Sequence, residues 1–286
     1  MSGALERIDR DFAALEEAIS TIAAEFDRAY SSYREVLSQA SRQQLILVSF
    51  YICTQVYPEA FLSLTFSQRE RLQQEIRQVA DWGKQQLEEI GSGAENSDRP
   101  VDTTNADSAS DYATDRTGEI ESVWSSPTRL EPSPPKNERA KTPEQVVNWQ
   151  QQMETEIAQI LQALSNQVNR LLQQLGILPN QLPTPLLEAA KAEGFDSVGG
   201  APNLLNFTIE TENPDNPDNP NVTNIVAISL RLAEIELTDA NCSAWRTQIR
   251  QLSQRLKSLA QQYERKRKEQ ATAQAESAWR SSWFEG

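Results

Sequence analysis

The stretch LERIDRDFAALEEAISTIAAEFDRAYSSYREVL, residues 5–37, decides the fold class of this chain. Its large apolar side chains recur at steps of three and four residues, which places them along one face of a helix in a largely heptad-like pattern. They are Leu5, Ile8, Phe12, Leu15, Ile19, Ile22, Phe26, Tyr30, Tyr33 and Leu37. We therefore expect a mainly helical protein that begins with a long amphipathic helix.

The apolar run LILVSFYICTQVY, residues 45–57, prolongs this helix, because neither Gly nor Pro occurs between Leu5 and Pro58. At about 13 residues the run is shorter than the roughly 18 to 20 residues of a membrane-spanning helix, so no membrane span is predicted. We interpret it as a buried core helix. Because it is apolar on all sides, part of it needs cover from a second chain, which predicts a homodimer through the helical segments.

A second helix is predicted after Pro58, which ends the first one. Ser67 and Glu70 have the spacing of a capping box, and an apolar stripe follows them to about Ile90. We expect this helix to pack back on the first. Residues 1–90 are therefore predicted to form a helical hairpin or small bundle.

Residues 91–141 are rich in Ser, Asp, Thr, Glu and Pro and carry few apolar side chains. Such a segment cannot bury enough surface to offset its ordering entropy, so it is predicted to be a disordered acidic linker. Trp124, in EIESVWSSP, is the exception. It is either a short docking motif or an incidental apolar residue in a tether.

Helical structure is predicted to return at KTPEQVVNW, where Thr142 suits the N-cap and Pro143 the first helical position. Gln145 completes a capping box, and the apolar stripe that follows predicts a long helix ended by Gly176. A short helix is predicted next over TPLLEAAKAEG, residues 184–194.

Two segments then change to a period of two, which is typical of half-buried strands. They are LLNFTIE, residues 204–210, and NIVAISLRL, residues 224–232. The side chains expected to share the apolar face of the second strand are Val226, Ile228, Leu230 and Leu232. The prolines of the intervening TENPDNPDNPNVTN predict a long polar loop, so the strands should form an antiparallel pair.

The last helix is predicted to begin near Thr238 or Asp239 and to present a nearly regular a/d seam. The seam consists of Trp245, Ile249, Leu252, Leu256, Leu259 and Tyr263. Beyond it the helix continues as a charged, alanine-rich segment that projects into solvent or meets a partner. Residues 142–286 thus form a predicted C-terminal domain in which two long helices flank the β pair.

The composition excludes several functional classes. The chain has 41 acidic and 27 basic residues, a net charge of −14, which argues against a nucleic-acid coat or a binder of anionic membranes. It contains no His, so imidazole-based metal sites and triads are excluded, and no glycine-rich phosphate motif occurs. We therefore predict no catalytic residue, no metal site and no cofactor, hence no enzyme.

The N-terminal residues MSGALERIDRDF carry acids and no apolar signal segment, which predicts a cytoplasmic protein. Cys53, within the apolar run, is interpreted as a small core residue.

The terminal sequence AESAWRSSWFEG is the first candidate binding element. Trp279 and Trp283 are four residues apart and share a helix face, with Phe284 beside them and Arg280 available for stacking. Because Trp and Arg are frequent binding hot spots, this tail either docks into a groove on another protein or folds back onto its own core.

The second candidate is the run Arg265, Lys266, Arg267 and Lys268. Residues 241–286 hold nine basic and four acidic side chains, unlike the acidic chain as a whole. This segment binds nucleic acid or an acidic protein, or it is a solvated helix face, or it forms an intramolecular tether to the acidic linker.

The arrangement from Thr142 to Gly286, helix, strand pair and helix, resembles the plan of prefoldin subunits over about half of the chain. The long NPDNPDNPN connection and the short preceding helix depart from that plan. The resemblance implies a chaperone-like coiled-coil assembly.

The stretch APNLLNFTIET, residues 201–211, together with AWRSSWFE, residues 278–285, is similar to the ending of conserved uncharacterised proteins of cyanobacteria. This resemblance implies a cytosolic bacterial setting and no particular activity.

The predicted function is a non-enzymatic adaptor or scaffold that binds a protein partner through its coiled-coil helices and its aromatic tail. A prefoldin-like chaperone or assembly factor is the alternative, and a nucleic-acid-associated protein is the third candidate.

Overall fold

The structure is a computed structural model that describes residues 2–91, 140–179, 202–211 and 221–283. Almost all of the predicted linker with Trp124, the predicted short helix at 184–194 and Phe284 lie outside these residues. The described part of the chain is mainly helical and contains one two-stranded antiparallel sheet, as the sequence predicted.

The N-terminal segment forms the predicted helical hairpin. Its elements are α1 (Ser2–Tyr51), a single π-helical turn (Ile52–Val56), α2 (Pro58–Ser63) and α3 (Phe66–Glu89). The π-turn is closed by a hydrogen bond of 2.9 Å from the amide of Tyr57 to the carbonyl of Ile52. The first helix is therefore continuous up to the turn before Pro58, and Pro58 opens α2 at a first helical position.

The predicted cap of α3 is wrong by two residues. Thr65, not Ser67, is the N-cap, and Gln68 takes the position assigned to Glu70. The Thr65 hydroxyl accepts from the amide of Gln68, and the amide of Thr65 donates to the Gln68 side chain at 2.8 Å. Gln serves in a capping box as well as Glu does. The pairs Thr65 with Gln68 and Ser67 with Glu70 therefore both have the residue types and the spacing of a capping box.

Helix α4 (Pro143–Gln174) begins as predicted. Thr142 accepts from the amide of Gln145 and the Gln145 side chain accepts in return from the amide of Thr142, which confirms the capping box. Gly176 follows the helix with a φ of +71°, a conformation that favours glycine.

The two strands, β1 (Leu204–Thr211) and β2 (Asn221–Ile228), pair antiparallel with Leu204 opposite Ile228. The second strand starts three residues earlier than predicted and ends four residues earlier, so Leu230 and Leu232 are not strand residues. Ala227 and Ile228 are both buried, and both α4 and the π-turn contact this strand. At this end of the strand, the predicted alternation of buried and exposed side chains is therefore not observed.

The outer edge of β2 is satisfied by side chains of α4. The amide group of Asn169 donates to the carbonyl of Ile228 at 2.8 Å and accepts from the amide of the same residue at 2.9 Å. The hydroxyl of Ser165 accepts from the amide of Leu230 at 2.9 Å. These buried contacts replace the strand that would otherwise occupy this edge.

A short helix that the sequence did not predict, α5 (Leu232–Thr238), follows the sheet. The last helix, α6 (Ala240–Trp283), begins directly after Asp239, one of the two positions predicted for its start, and Asp239 caps it. The Asp239 carboxylate accepts from the amides of Asn241 and Cys242, both at 2.9 Å.

Helix α6 packs along α1, so the first and last helices share the core. The predicted apolar seam of α6 lies against the chain's own first helix, with Ile249 and Leu256 almost fully buried. Buried side chains from α1, α3, α4, the sheet and α6 belong to one continuous apolar cluster. The division into domains at residues 1–90 and 142–286 stays a prediction, since the described residues of both segments contribute to this cluster.

Candidate functional site

Polar pairs fix the register of α6 against α1 and show that the two helices run in opposite directions. Lys266 contacts Asp11 at 3.0 Å, and the Gln270 side chain donates to Asp9 at 2.9 Å. Arg255 forms an ion pair with Glu25 nearer the other end. As the residue number rises along α6, it falls along α1.

This register carries the end of α6 past the beginning of α1. Gln270 lies opposite Asp9, and each helical residue adds about 1.5 Å along the axis. Trp279 therefore lies slightly beyond the level of Ser2, and Trp283 lies about 9 Å beyond it. The aromatic tail is an extension of a helix whose preceding half is anchored to the core.

The two tryptophans of this extension stack on each other. Their ring centroids are 5.9 Å apart with an interplanar angle of 27°, as the spacing of four residues on one helix face permits. Trp279 is 66% exposed and Trp283 is 70% exposed, so the described part of the protein does not cover the rings. The described part of the structure therefore does not place the rings in the protein's own core, which was the alternative to docking on another protein.

Arg280 lies between the two tryptophans in sequence and forms an ion pair with Glu276, one turn earlier, at 3.4 Å. The fourth predicted contact residue, Phe284, falls outside the described residues. The described part of the predicted tail site is thus Trp279, Arg280 and Trp283, all on one exposed helical end.

The four residues of the basic run differ in their surroundings. Lys266 is held between Asp11 and Glu269, and these hydrogen bonds raise its pKa. Arg267 pairs with Glu264 at 3.2 Å on the same helix. Arg265 and Lys268 are exposed and project from α6 a few turns before the tryptophans.

Arg246, one of the nine basic residues of segment 241–286, belongs to a half-buried polar cluster. Its guanidinium forms ion pairs with Glu154 of α4 and Glu236 of α5, and donates to the Tyr33 hydroxyl at 2.8 Å. The Tyr33 hydroxyl donates to Glu236, and the Tyr30 hydroxyl donates to Glu154. Four helices therefore meet at one guanidinium.

Burial sets the electrostatics of this polar cluster. It raises the pKa of Tyr30 and Tyr33 far above the ordinary value of a phenol, and the neighbouring carboxylates add to the effect. For Arg246, burial acts to lower the pKa, but hydrogen bonds and charges of Glu154 and Glu236 outweigh it and raise the pKa. Arg246 is also centred 4.8 Å above the Tyr33 ring. The cluster joins helices, and we assign it a structural role.

Sequence reasoning missed this cluster because its members lie far apart along the chain. A partial signal existed in the tyrosines, whose hydroxyls need partners when the rings are buried. The sequence does not indicate which of the 41 acidic residues accept from the two tyrosine hydroxyls.

In the described ranges, no group of three or more His, Cys, Asp or Glu side chains is placed to hold a metal ion. Among the described helices, none combines the length and apolarity that crossing a bilayer requires. Cys53 and Cys242 are both buried free thiols, which confirms Cys53 as a core residue.

Searches of protein-family models, curated proteins and solved structures found no match to this chain.

Proposed function

We propose that the protein is a non-enzymatic scaffold that binds a protein partner through the exposed end of α6. The observation that carries this proposal is the stacked pair of Trp279 and Trp283, each about two-thirds exposed on a helix anchored to the core. Two indoles held in one orientation lose little conformational entropy on binding, and removing them from water supplies the main driving force.

The attachment of the tail supports the same proposal. Ion pairs from Lys266 and Arg255 to α1 hold α6 along its length, so the aromatic end is presented on a preformed helix. Preorganised helices with anchors at positions i and i+4 are a common way of entering an apolar groove on a partner.

The exposed basic residues near the tail support steering of an acidic partner. Arg265 and Lys268 precede the tryptophans on the same helix and are exposed. Charges at the rim of an interface act mainly on the association rate, and their effect falls as salt rises. We expect R265E/K268E to slow partner association at low salt and to leave the dissociation rate nearly unchanged.

The first experiment compares wild type with W279A/W283A in affinity capture from a native lysate, with quantification by mass spectrometry. L237A is the matched control, because Leu237 is an apolar side chain that is 86% exposed on α5. We expect one partner to be lost with the double variant and kept with L237A. Equal recovery of every partner by all three proteins would overturn the proposal.

Thermal unfolding of the same proteins separates docking from folding. Substitution of exposed side chains changes stability by about 0.5 kcal/mol or less, so the melting temperature of W279A/W283A should stay within about 2 °C of wild type. A drop of many degrees would mean that the rings stabilise the protein itself.

The prefoldin-like chaperone stays the alternative proposal, and suppression of client aggregation separates it from the scaffold. A scaffold with one partner leaves the aggregation of an unrelated unfolded protein unchanged, whereas a chaperone suppresses it. For the nucleic-acid proposal, the test is salt-dependent binding of oligonucleotides to the full chain.

A further inference from the structure

The far end of the helical hairpin carries a second exposed apolar surface. Residues 43–58 contain no charged side chain, although they form the exposed end of α1 and its π-turn. Leu47 is 57% exposed and Phe50 is 61% exposed, and Leu62 of the adjoining α2 is 63% exposed. These exposed apolar side chains support the prediction that part of this segment is covered by another chain.

A groove opens within this surface between α1 and α3. It encloses a cavity of about 300 Å³. Phe50 and Phe61 form its walls, while Cys53, Leu72 and Ile76, all nearly fully buried, form its floor. The π-turn sets the position of Cys53, and such turns are frequent at functional sites.

The groove also offers acceptors for an indole N–H. The hydroxyl of Ser49 donates to the carbonyl of Leu45, and that of Thr54 donates to the carbonyl of Phe50. Each hydroxyl oxygen keeps capacity to accept, and both residues line the cavity. A buried tryptophan needs such a partner for its ring nitrogen.

The tryptophan tail and this groove lie at opposite ends of the molecule. The tail extends past Ser2 and the groove begins near Ile46, so roughly 70 Å of α1 separates them. Because α6 is anchored to α1, a chain's own tail cannot enter its own groove.

We propose that the groove between α1 and α3 binds the Trp279 and Trp283 tail of a second copy of this chain. The inference rests on the proposed function of the tail and names its partner. A cavity of about 300 Å³ has room for one indole, and the groove follows α1 from Ile46 to Cys53, about two helical turns. Anchors that are one turn apart on the tail span about 6 Å and fit within that length, with one ring in the cavity and the other along the groove.

The few charges at the groove do not oppose the tail. Arg77 lines the edge of the groove, and the uncharged wall of α1 lies opposite it. The tail sequence from Glu276 to Gly286 holds two acidic residues and one basic residue. In the described part of the tail, exposed Glu276 pairs with Arg280 on its own helix, and docking would bring it near Arg77 with no like charge on the facing wall.

The area available makes this a weak contact. The two exposed indoles contribute about 300 Å² and the groove a similar area, so the total lies below the roughly 1,200 Å² of the smallest stable interfaces. We expect a dissociation constant on the order of 10 µM or weaker.

A contact between two different surfaces of the same chain is heterologous, and it leaves a free tail and a free groove after each addition. Association is therefore open-ended and yields linear oligomers that lengthen as the concentration rises. A two-fold symmetric dimer, in contrast, stops at two chains.

Sedimentation velocity of the full chain from about 5 to about 300 µM tests the proposal with three proteins: wild type, W279A/W283A and F50Q. Phe50 is mostly exposed, so F50Q removes an apolar groove wall without opening the core. We expect the average mass of wild type to rise past that of a dimer, and each variant alone to remain monomeric. L237Q, with its substitution on exposed α5, is the control and should associate like wild type.

Mixing the two variants gives the sharpest result. F50Q keeps an intact tail and W279A/W283A keeps an intact groove, so an equimolar mixture should form dimers and nothing larger. Association of W279A/W283A alone would mean that grooves pair with each other or with another segment, and it would overturn the proposal. A monomeric wild type at every concentration would overturn it as well.

These outcomes are separate from those of the proposed function. A monomeric wild type that still captures a foreign partner through its tryptophans would remove the self-docking inference alone. If W279A/W283A retains every partner and every oligomer, both fail.

Discussion

Leu164 of α4 occupies the space that a side chain at Gly83 of α3 would fill. A Cβ placed on Gly83 would overlap Cδ2 of Leu164 and lie 2.8 Å from its Cγ, which is too close for any real contact. Because Leu164 is itself buried, it has little room to move away. The two helices approach closely at this point because the residue is glycine.

This contact makes G83A destabilising. In an exposed helix, Gly to Ala stabilises by about 1 kcal/mol, but here the overlap with Leu164 should cost about 1–3 kcal/mol. Chemical denaturation measures the change in the free energy of unfolding. The pair G83A/L164A tests the cause, because it should lose less than the two single substitutions added together. A stabilised G83A would contradict the packing described here.

Removal of Arg246 should leave two half-buried carboxylates without their cation. We expect R246M to lower the free energy of unfolding by about 3 kcal/mol, since Glu154 and Glu236 lose their partner. R250M, at an exposed position one turn later on α6, is the matched control and should be nearly neutral.

The triple variant R246M/E154Q/E236Q separates charge burial from packing. It removes the charges of Arg246, Glu154 and Glu236 together, so it should be more stable than R246M alone. If the triple variant is less stable than R246M, the carboxylates are tolerated without Arg246 and the assigned role is incorrect.

Glu156 gives the stability of the protein a pH dependence. Burial raises its pKa to about 7, and the nearby Arg34 only partly opposes this. The folded state therefore holds the proton more tightly than the unfolded state, whose value is 4.5. The stabilisation is present below about pH 4.5 and is lost as the pH rises through about 7.

We expect E156Q to be more stable than wild type at pH 8, by about 1 kcal/mol after solvent screening, and equal to it near pH 4. Urea denaturation at both pH values measures the difference. E70Q, on the exposed face of α3, is the matched control. A constant offset between E156Q and wild type at both pH values would exclude this titration.

Both thiols should react slowly. Burial raises the pKa of Cys53 to about 11, and burial together with Asp239 raises that of Cys242 to about 12. Alkylation needs the thiolate, so at pH 8 the folded protein should be modified at least about 100-fold more slowly than the protein in urea. Mass spectrometry of iodoacetamide-treated samples resolves the two sites. Equal rates in folded and unfolded protein would show that the thiols are accessible and ionised.

The features that the sequence predicted depend on local spacing. The apolar stripe of α1, the capping box at Thr142 and the seam of α6 all follow from residues within a few turns of each other. The short α5 was missed because Leu230 and Leu232 also fit a strand period, and seven residues are too few to establish a helical one.

The features that the sequence could not predict are long-range. Asn169 lies in a long helix with no local sign of a distant partner, yet it completes the edge of β2 across 59 positions. The exposure of Trp279 depends on the register between α6 and α1, which neither helix encodes alone. The groove beside Phe50 likewise exists only because α1, α2 and α3 meet there.

The pairing of α1 with α6 also sets the order of events during synthesis. The apolar face of α1 leaves the ribosome first, but the helix that covers it begins at Ala240. At about 5–20 residues per second, the ribosome needs on the order of 10–40 s to add the intervening chain. During this interval Phe26 and Tyr33, fully buried in the finished protein, lack the α6 side of their cover. The nascent chain is thus most exposed to aggregation before its last helix emerges, and chains truncated before α6 should be the ones that cells degrade.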